Sequence, residues 1–310
     1  MKRVLITASV LLLASSASYP GPDPAPDSSK PGLKWQNVVS NVLARPGMLQ
    51  LGEVYVVRIP RTDLKVTLRG VPLESAFALT SEEAFQSTGK GPEILLKGDL
   101  LLLAEELNPV LSQLMKGGFQ ITALHNHLVG ESPRLMDLHF EGKGGSGPLS
   151  AVLRDALALT GVPRYESATD LLGDDPLPPA VRTAFGQIEQ VLGREGTVSR
   201  KVLQFTFPRR DPVRLGNTEV PAAMGTCACL AFQSAGASEI AAAGEMVVTQ
   251  EELGPVLQAL RMGGIDVAAI HDHMVGEQPP LKHVHFWGKG TAEEVGTGLR
   301  AALDQIALKR

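Results

Sequence analysis

The feature that most constrains this chain is a histidine-rich segment that occurs twice. Residues 124–144 read LHNHLVGESPRLMDLHFEGKG, and residues 270–290 read IHDHMVGEQPPLKHVHFWGKG. With a constant offset of 146 residues, three histidines of the first segment match three of the second, and all seven histidines of the chain lie in these two segments. Histidines that serve only as occasional polar residues would be scattered, so the pattern predicts a shared chemical role.

The repeat extends beyond the histidines and predicts the fold class. Alternating apolar residues at 53–60 and 201–208 are typical of half-buried strands. Acidic residues followed by a proline at 105–109 and 251–255 are typical of helix starts. The sequence therefore predicts an α+β protein, a tandem duplication of an α/β-sandwich-like domain in which each copy carries a histidine-bearing β-hairpin after a helix. Whether the copies form one body or two stays open.

Composition sets the domain boundaries. Lys2 and Arg3, an apolar run and small residues predict a signal peptide at 1–18. Prolines between 19 and 32 predict a disordered tether. Repeat 1 is then expected at 33–161, a linker at 162–179 and repeat 2 at 180–310. The apolar run is shorter than the roughly 20 residues of a membrane helix, so we expect an exported protein, periplasmic or secreted, without a transmembrane segment in the mature chain.

Length and charge limit the possible partners. A chain of 310 residues with 44% hydrophobic residues can bury two cores. The formal net charge is −4, and no run of Lys and Arg is interleaved with aromatic residues. We therefore expect no nucleic-acid partner. A small-molecule ligand is compatible with the composition, and the oligomeric state is left open.

The chain has two cysteines, Cys227 and Cys229, in the stretch TCACLAF. A disulfide between residues two apart would close a small, strained ring. We therefore interpret them as small buried side chains on one face of a strand. Redox activity and soft-metal binding are the alternatives.

The histidine spacing predicts a metal site in copy 1. If residues 130–133 close a hairpin in which His125 faces His139, then His127 faces Asp137, and all four side chains share one face. Three imidazoles with an open position are typical of a catalytic zinc site. Imidazole together with carboxylate also suits Fe, Mn, Ni or Cu, so zinc is the first expectation and these metals are alternatives.

The same register predicts a second site in copy 2. It places His271 opposite His285 and His273 opposite His283, which gives a set of four histidines. Hydrogen-bonded structural histidines and a pH-sensitive histidine interface are the alternatives to metal binding.

Glu131 and Glu277 occupy equivalent places in the VGE turns of the two hairpins. They are candidates for an additional ligand or a catalytic acid or base, and the alternative is that both are simply solvated. The sequence contains no GxSxG, HExxH or phosphate-loop motif that would predict a different active site.

These patterns predict a divalent-metal protein whose metal polarises a carbonyl or activates water in a lyase or hydrolase reaction. A non-catalytic periplasmic metal- or ligand-binding protein is one alternative. An envelope interaction module with structural histidines is another. The sequence does not decide whether the chain is an enzyme.

The stretch GDLLLLAEELNPVLSQLMKGGFQITALHNHLVGESPRLMDLHFEGKG resembles the LppY/LpqO family of uncharacterised exported bacterial proteins. The resemblance includes the segment IPRTDLKVTLRGVP and covers most of the mature chain. It implies export and assigns no reaction. Some family members are lipoproteins, whereas no cysteine ends the apolar run here, so the resemblance implies a form without a lipid anchor.

Overall fold

A computed structural model describes residues 34–91, 93–163, 176–236 and 238–309. The predicted signal peptide at 1–18 and tether at 19–32 lie outside these residues, as does most of the predicted linker at 162–179. Both repeats lie within one compact unit that begins at Lys34. The two copies therefore form a single body.

The described elements repeat in the same order in the two copies. In copy 1 they are α1 (Lys34–Leu43), β1 (Met48–Gln50), β2 (Val54–Pro60), β3 (Thr67–Leu68), β4 (Val71–Pro72), α2 (Ser75–Ala78), β5 (Thr80–Ser87), β6 (Glu93–Leu102), α3 (Ala104–Lys116), β7 (Gln120–Asn126), β8 (Glu131–Ser132), β9 (Met136–Gly145) and α4 (Ser146–Leu157). In copy 2 they are α5 (Pro179–Leu192), β10 (Thr197–Ser199), β11 (Val202–Pro208), β12 (Val213–Leu215), β13 (Thr218–Val220), a 3-10 turn (Ala222–Met224), β14 (Cys227–Ser234), β15 (Ile240–Val248), α6 (Gln250–Met262), β16 (Asp266–His271), β17 (Glu277–Gln278), β18 (Lys282–Gly290) and α7 (Ala292–Leu303).

Each copy contains a six-stranded antiparallel sheet. The strand order is β1-β2-β5-β6-β9-β7 in copy 1 and β10-β11-β14-β15-β18-β16 in copy 2. Two small three-stranded sheets, β4-β3-β8 and β13-β12-β17, complete the copies. The predicted α+β duplication is confirmed.

Helices cover one face of each large sheet. In copy 1, Val39 of α1, Val110 of α3 and Leu153 of α4 are completely buried against Phe85 and Phe140 of the strands. Helices α5, α6 and α7 pack in the same way in copy 2. Because strand side chains alternate between faces, the remaining residues of these strands point away from the helices.

The helix-free faces of the two sheets meet each other. Val54 and Val56 of copy 1 share a buried cluster with Val247 of copy 2. Phe77 packs edge-on against Trp287, with ring centroids 5.9 Å apart. Burial of these residues holds the two copies together, so any side chain on the helix-free faces lies between the repeats.

A buried arginine fixes the start of one helix in each copy. Arg61 follows β2 and pairs with Glu106 of α3 at 2.8 Å, and Arg209 follows β11 and pairs with Glu252 of α6 at 2.7 Å. Both carboxylates also accept backbone N–H groups at the helix start, at 2.9 and 2.8 Å. Each glutamate therefore satisfies helix N–H groups that would otherwise lack a partner.

The predicted hairpin register is wrong by two residues in copy 1. His125 lies opposite Asp137, not opposite His139. The connection is wider than a tight turn, because β8 leaves the hairpin to pair with β3. At the end of the hairpin, the backbone N–H of His127 donates to the carbonyl of Leu135. A bulge in β7 shifts the pairing further along the strand. An even shift leaves the side chains on the predicted face.

Copy 2 shows the same correction. His271 lies opposite His283, where the prediction had His285. A bulge in β16 accompanies this register as well. His271, His283 and His285 nevertheless share the helix-free face, so they still converge on one region.

Candidate metal centre

The histidines of the two copies form one cluster between the sheets. The ring of His125 stacks on that of His271 with centroids 3.8 Å apart, and the rings of His139 and His273 lie 4.2 Å apart. Edge strands β7 and β16 approach each other at this point. The sequence placed the histidines in two separate sets, and the structure merges these sets.

A carboxylate that the sequence analysis did not select lies at the centre of the copy 2 histidines. Glu245 stands in β15 directly opposite His285. Its Oε2 atom is 3.1 Å from His283 Nδ1, 3.4 Å from His273 Nε2 and 3.6 Å from His285 Nε2. Its counterpart in copy 1 is Asp99, opposite His139. The sequence does carry a signal for this pair, because an acidic residue stands at the same position of two otherwise apolar runs.

The predicted carboxylate of copy 1 also lies within the cluster. Asp137 is buried, and its Oδ2 atom lies 3.3 Å from Nδ1 of His127. Its Oδ1 atom lies 3.5 Å from Nε2 of His139. The Nε2 atoms of His125 and His139 face each other and are 2.9 Å apart.

Three overlapping groups of donor atoms could hold a metal ion, judged over the described residues. In each group the donor atoms lie within 4.8 Å of one another. The groups are Glu245 with His271, His273 and His285; His125 with His139 and His271; and His125 with Asp137 and His285. The first group has four donors, all from copy 2. Because each of the others also uses His271 or His285, filling the first group removes a ligand from both.

Two predicted ligands, His127 and His283, are not members of these groups. His127 contacts the carboxylate of Asp137 and the carbonyl of Ala78. His283 contacts Glu245 and stacks on His273 with ring centroids 3.4 Å apart. Both therefore lie beside the donor atoms and hold their carboxylates in place.

The two turn glutamates hold their own loops. Glu131 Oε1 accepts the backbone N–H of Leu135 at 3.1 Å, and Glu277 Oε1 accepts that of Leu281 at 3.0 Å. Both side chains are buried. The structure therefore gives each a backbone partner inside the hairpin connection.

Several buried polar atoms of the cluster have no hydrogen-bond partner among the described residues. They are both ring nitrogens of His271, Nε2 of His273, Nε2 of His285 and Oδ1 of Asp137. Buried polar groups are normally paired, because leaving one unpaired costs about 1–3 kcal/mol. Nitrogen and oxygen lone pairs are also the ligands that divalent metals use. The donor set therefore fits a metal ion.

Burial keeps most of the imidazoles neutral. It lowers the pKa of His271 to about 2, with the neighbouring His125 adding to the effect. Burial is also the main cause that lowers the pKa of four other histidines, namely His139, His273, His283 and His285. The neutral imidazole is the form that binds a metal.

A lysine of copy 1 reaches into the copy 2 histidines. Lys97 is buried, and its Nζ atom donates to the carbonyl of Met224 at 2.9 Å and lies 3.2 Å from Nδ1 of His273. Gly225 has a positive φ of 82°, and a Cβ atom there would lie 2.7 Å from Nζ of Lys97. The positive φ favours glycine here, and the Cβ atom of a larger residue would displace the end of the Lys97 side chain.

The cluster lines a cavity with a volume of about 580 Å³. Its walls include residues of both copies, among them Asp99, Asp137, Glu245 and His285. A space of this size holds a small molecule. The metal donors are therefore accessible to a ligand.

Comparison with known proteins adds a family. Residues 37–159 and 186–305 match the family model described as Domain of Unknown Function (DUF1259). The chain belongs to this family. Each DUF1259 segment contains one histidine hairpin, so the merged cluster lies between two DUF1259 units. No curated protein and no solved structure matches the chain. Within the described part of the chain, no helix is long and apolar enough to cross a membrane.

Proposed function

We propose that this DUF1259 protein binds one divalent metal ion through Glu245, His271, His273 and His285. The observation that carries the proposal is the set of buried ring nitrogens without a hydrogen-bond partner in the described residues. A bound cation would accept one nitrogen lone pair from each of the three rings and would offset the cost of burying them. Zinc is the first expectation for such a donor set, with Fe, Mn, Ni or Cu as alternatives.

The copy 2 group is favoured over the two mixed groups for two reasons. It has four donors where each of the others has three. It also includes Glu245, whose carboxylate lies within 3.6 Å of three imidazoles. In copy 1 the counterpart of His273 is His127, which turns to the carbonyl of Ala78 instead. The two copies are therefore unequal, and copy 2 holds the metal.

A catalytic role as a metal-dependent lyase or hydrolase is the finer proposal. The metal would polarise a carbonyl or activate water. The cavity beside the donors supports this role, because it leaves space for a substrate next to the ion. Glu131 and Glu277 then act as positioning residues that hold the hairpin connections.

A non-catalytic function is the second candidate. The direct contact between His125 and His139, and that between His127 and the Ala78 carbonyl, show that part of the cluster makes ordinary structural hydrogen bonds. A metal- or ligand-binding protein, or an envelope interaction module with structural histidines, would use the same fold.

We further propose that the protein is exported and is periplasmic or secreted. The supporting observation is the N-terminal sequence of Lys2 and Arg3 followed by an apolar run. The resemblance to the LppY/LpqO group agrees with export. Fractionation of cells that express the untagged chain tests this, and the full-length chain found with the cytoplasm would contradict it.

Metal analysis of protein purified without a histidine tag tests metal binding. We expect stoichiometric metal and a higher melting temperature when metal is added. His273→Ala should lose both, whereas His127→Ala, the matched change at the counterpart position, should keep both. No metal and no shift in melting temperature in the wild type would refute the proposal.

Activity separates the two candidates. The metal-loaded protein would be assayed with carbonyl and ester substrates beside the His273→Ala variant. Turnover that disappears in this variant and persists in His127→Ala supports an enzyme. Turnover that persists in both variants excludes the metal site from the reaction.

A further inference from the structure

A pair of cysteine thiols lies in the wall of the same cavity. Cys227 and Cys229 are both free and stand on one face of β14. Their Sγ atoms are 3.1 Å apart, and both side chains line the cavity. Their counterparts in copy 1 are Thr80 and Glu82, by the matching of β5 with β14. The pair is therefore a property of copy 2.

Strand geometry disfavours a disulfide between them. Residues two apart in a strand are separated by about 6.6–6.8 Å between Cα atoms. This is the upper end of the range of about 4.4–6.8 Å that disulfides span. A bond would require the strand to contract, and β14 pairs on both sides with neighbouring strands. The thiols are expected to stay reduced.

The same separation suits a bridging metal ion. With metal–sulfur bonds of about 2.3 Å, a linear S–metal–S unit spans about 4.6 Å. The two Sγ atoms are 3.1 Å apart, so metal binding requires the two thiol groups to move apart. In the described residues, no group of three close metal donors contains either cysteine. Two thiolates with no third ligand select a soft monovalent ion, Cu(I) above all, over zinc, which needs four ligands.

We infer that Cys227 and Cys229 form a second metal site, a two-thiolate site for Cu(I), next to the histidine centre, since Cys229 lies directly opposite Glu245. On binding, two S–H bonds break, two S–Cu bonds form, and two protons leave to solvent, so the site gains one net negative charge. Arg58 lines the same cavity and pairs with Glu82 at 2.9 Å, so a cation already lies beside the thiols. The pKa of Arg58 is raised by the Glu82 carboxylate and, to a smaller extent, by Cys229. The oxidation state of the ion does not change in this step.

Anaerobic titration of the full chain with Cu(I), and with Ag(I) as a redox-inert probe, tests the inference. We expect ultraviolet thiolate-to-Cu(I) charge-transfer absorption that saturates at one ion per chain, and protection of both thiols from alkylation. Cys227→Ser and Cys229→Ser should each abolish the absorption. His273→Ala should keep it, which separates this site from the histidine centre.

Three outcomes would overturn the inference. The first is the absence of charge-transfer absorption in the wild type. The second is absorption that persists in Cys229→Ser. The third is a disulfide, detected in the aerobically purified wild type as a mass lower by two hydrogens with both thiols unreactive. Alkylation protection and mass are measured on the wild type, so the test stands even where a serine variant fails to fold.

Discussion

Glutamine at position 83 should remove a pH-dependent loss of stability from copy 1. Glu83 lies in β5 on the same face as Phe85, directly opposite Gly98, and its side chain is completely buried. Neither carboxylate oxygen has a hydrogen-bond partner among the described residues. At the equivalent place in copy 2, Leu230 lies opposite Gly244. An apolar side chain therefore fits this site in the fold.

The size of the effect follows from proton linkage. Burial, with the Asp99 and Glu82 carboxylates, raises the pKa of Glu83 well above its usual 4.5. The folded protein therefore keeps a proton that the unfolded chain loses as the pH rises past this value. The free energy of unfolding then falls by about 1.4 kcal/mol for each pH unit until the folded-state pKa is reached.

Urea unfolding of chelator-treated protein across this pH range provides the measurement. The stability difference between Glu83→Gln and the wild type should grow by about 1.4 kcal/mol for each pH unit between 4.5 and the folded-state pKa. Glu83→Leu should show the same pH dependence and higher stability than Glu83→Gln, because it also removes the buried polar atoms. A difference between Glu83→Gln and the wild type that does not change with pH would mean that the pKa of Glu83 is not raised in the folded protein.

Four further predictions concern the centre and its supports. Glu245→Gln should lower metal affinity, measured by competition titration, by more than about 100-fold, which is the upper end for groups that only orient ligands. Glu277→Ala should keep the metal affinity. It should instead lower the free energy of unfolding in urea by about 1–3 kcal/mol, because it leaves a buried N–H without a partner. Gly225→Ala should displace Lys97 and lower stability by about 1 kcal/mol or more, and an unchanged melting temperature would contradict this. Arg209→Met should cost about 1.5–3 kcal/mol in urea unfolding, because it removes the charged partner of the half-buried Glu252 carboxylate.

The fold class could be predicted because its signals are local. Alternation at 53–60 and at 201–208 marks strands whether or not their partners are known, and the repeat doubles every signal. The register of the hairpin could not be predicted. Bulges in β7 and β16 and the departure of β8 to another sheet depend on pairings outside the hairpin.

The candidate site was predictable only in part. The face shared by His125 and His139 followed from strand periodicity. The merging of the two histidine sets could not be predicted, because the sequence of a hairpin does not show whether it packs against the equivalent hairpin of the other copy. Glu245 was missed because it lies in an apolar run, where its signal was the acidic residue at the matching position of copy 1, Asp99. Lys97 was missed because copy 2 has Ala243 at the equivalent position, so the repeat gave no signal.

Anomalous X-ray scattering at the absorption edge of the bound metal locates the ion among its ligands. We predict one peak within about 2.0–2.2 Å of ligand atoms of Glu245, His271, His273 and His285. Two peaks, one in each copy, or a peak held by His125, His127 and His139, would contradict the account.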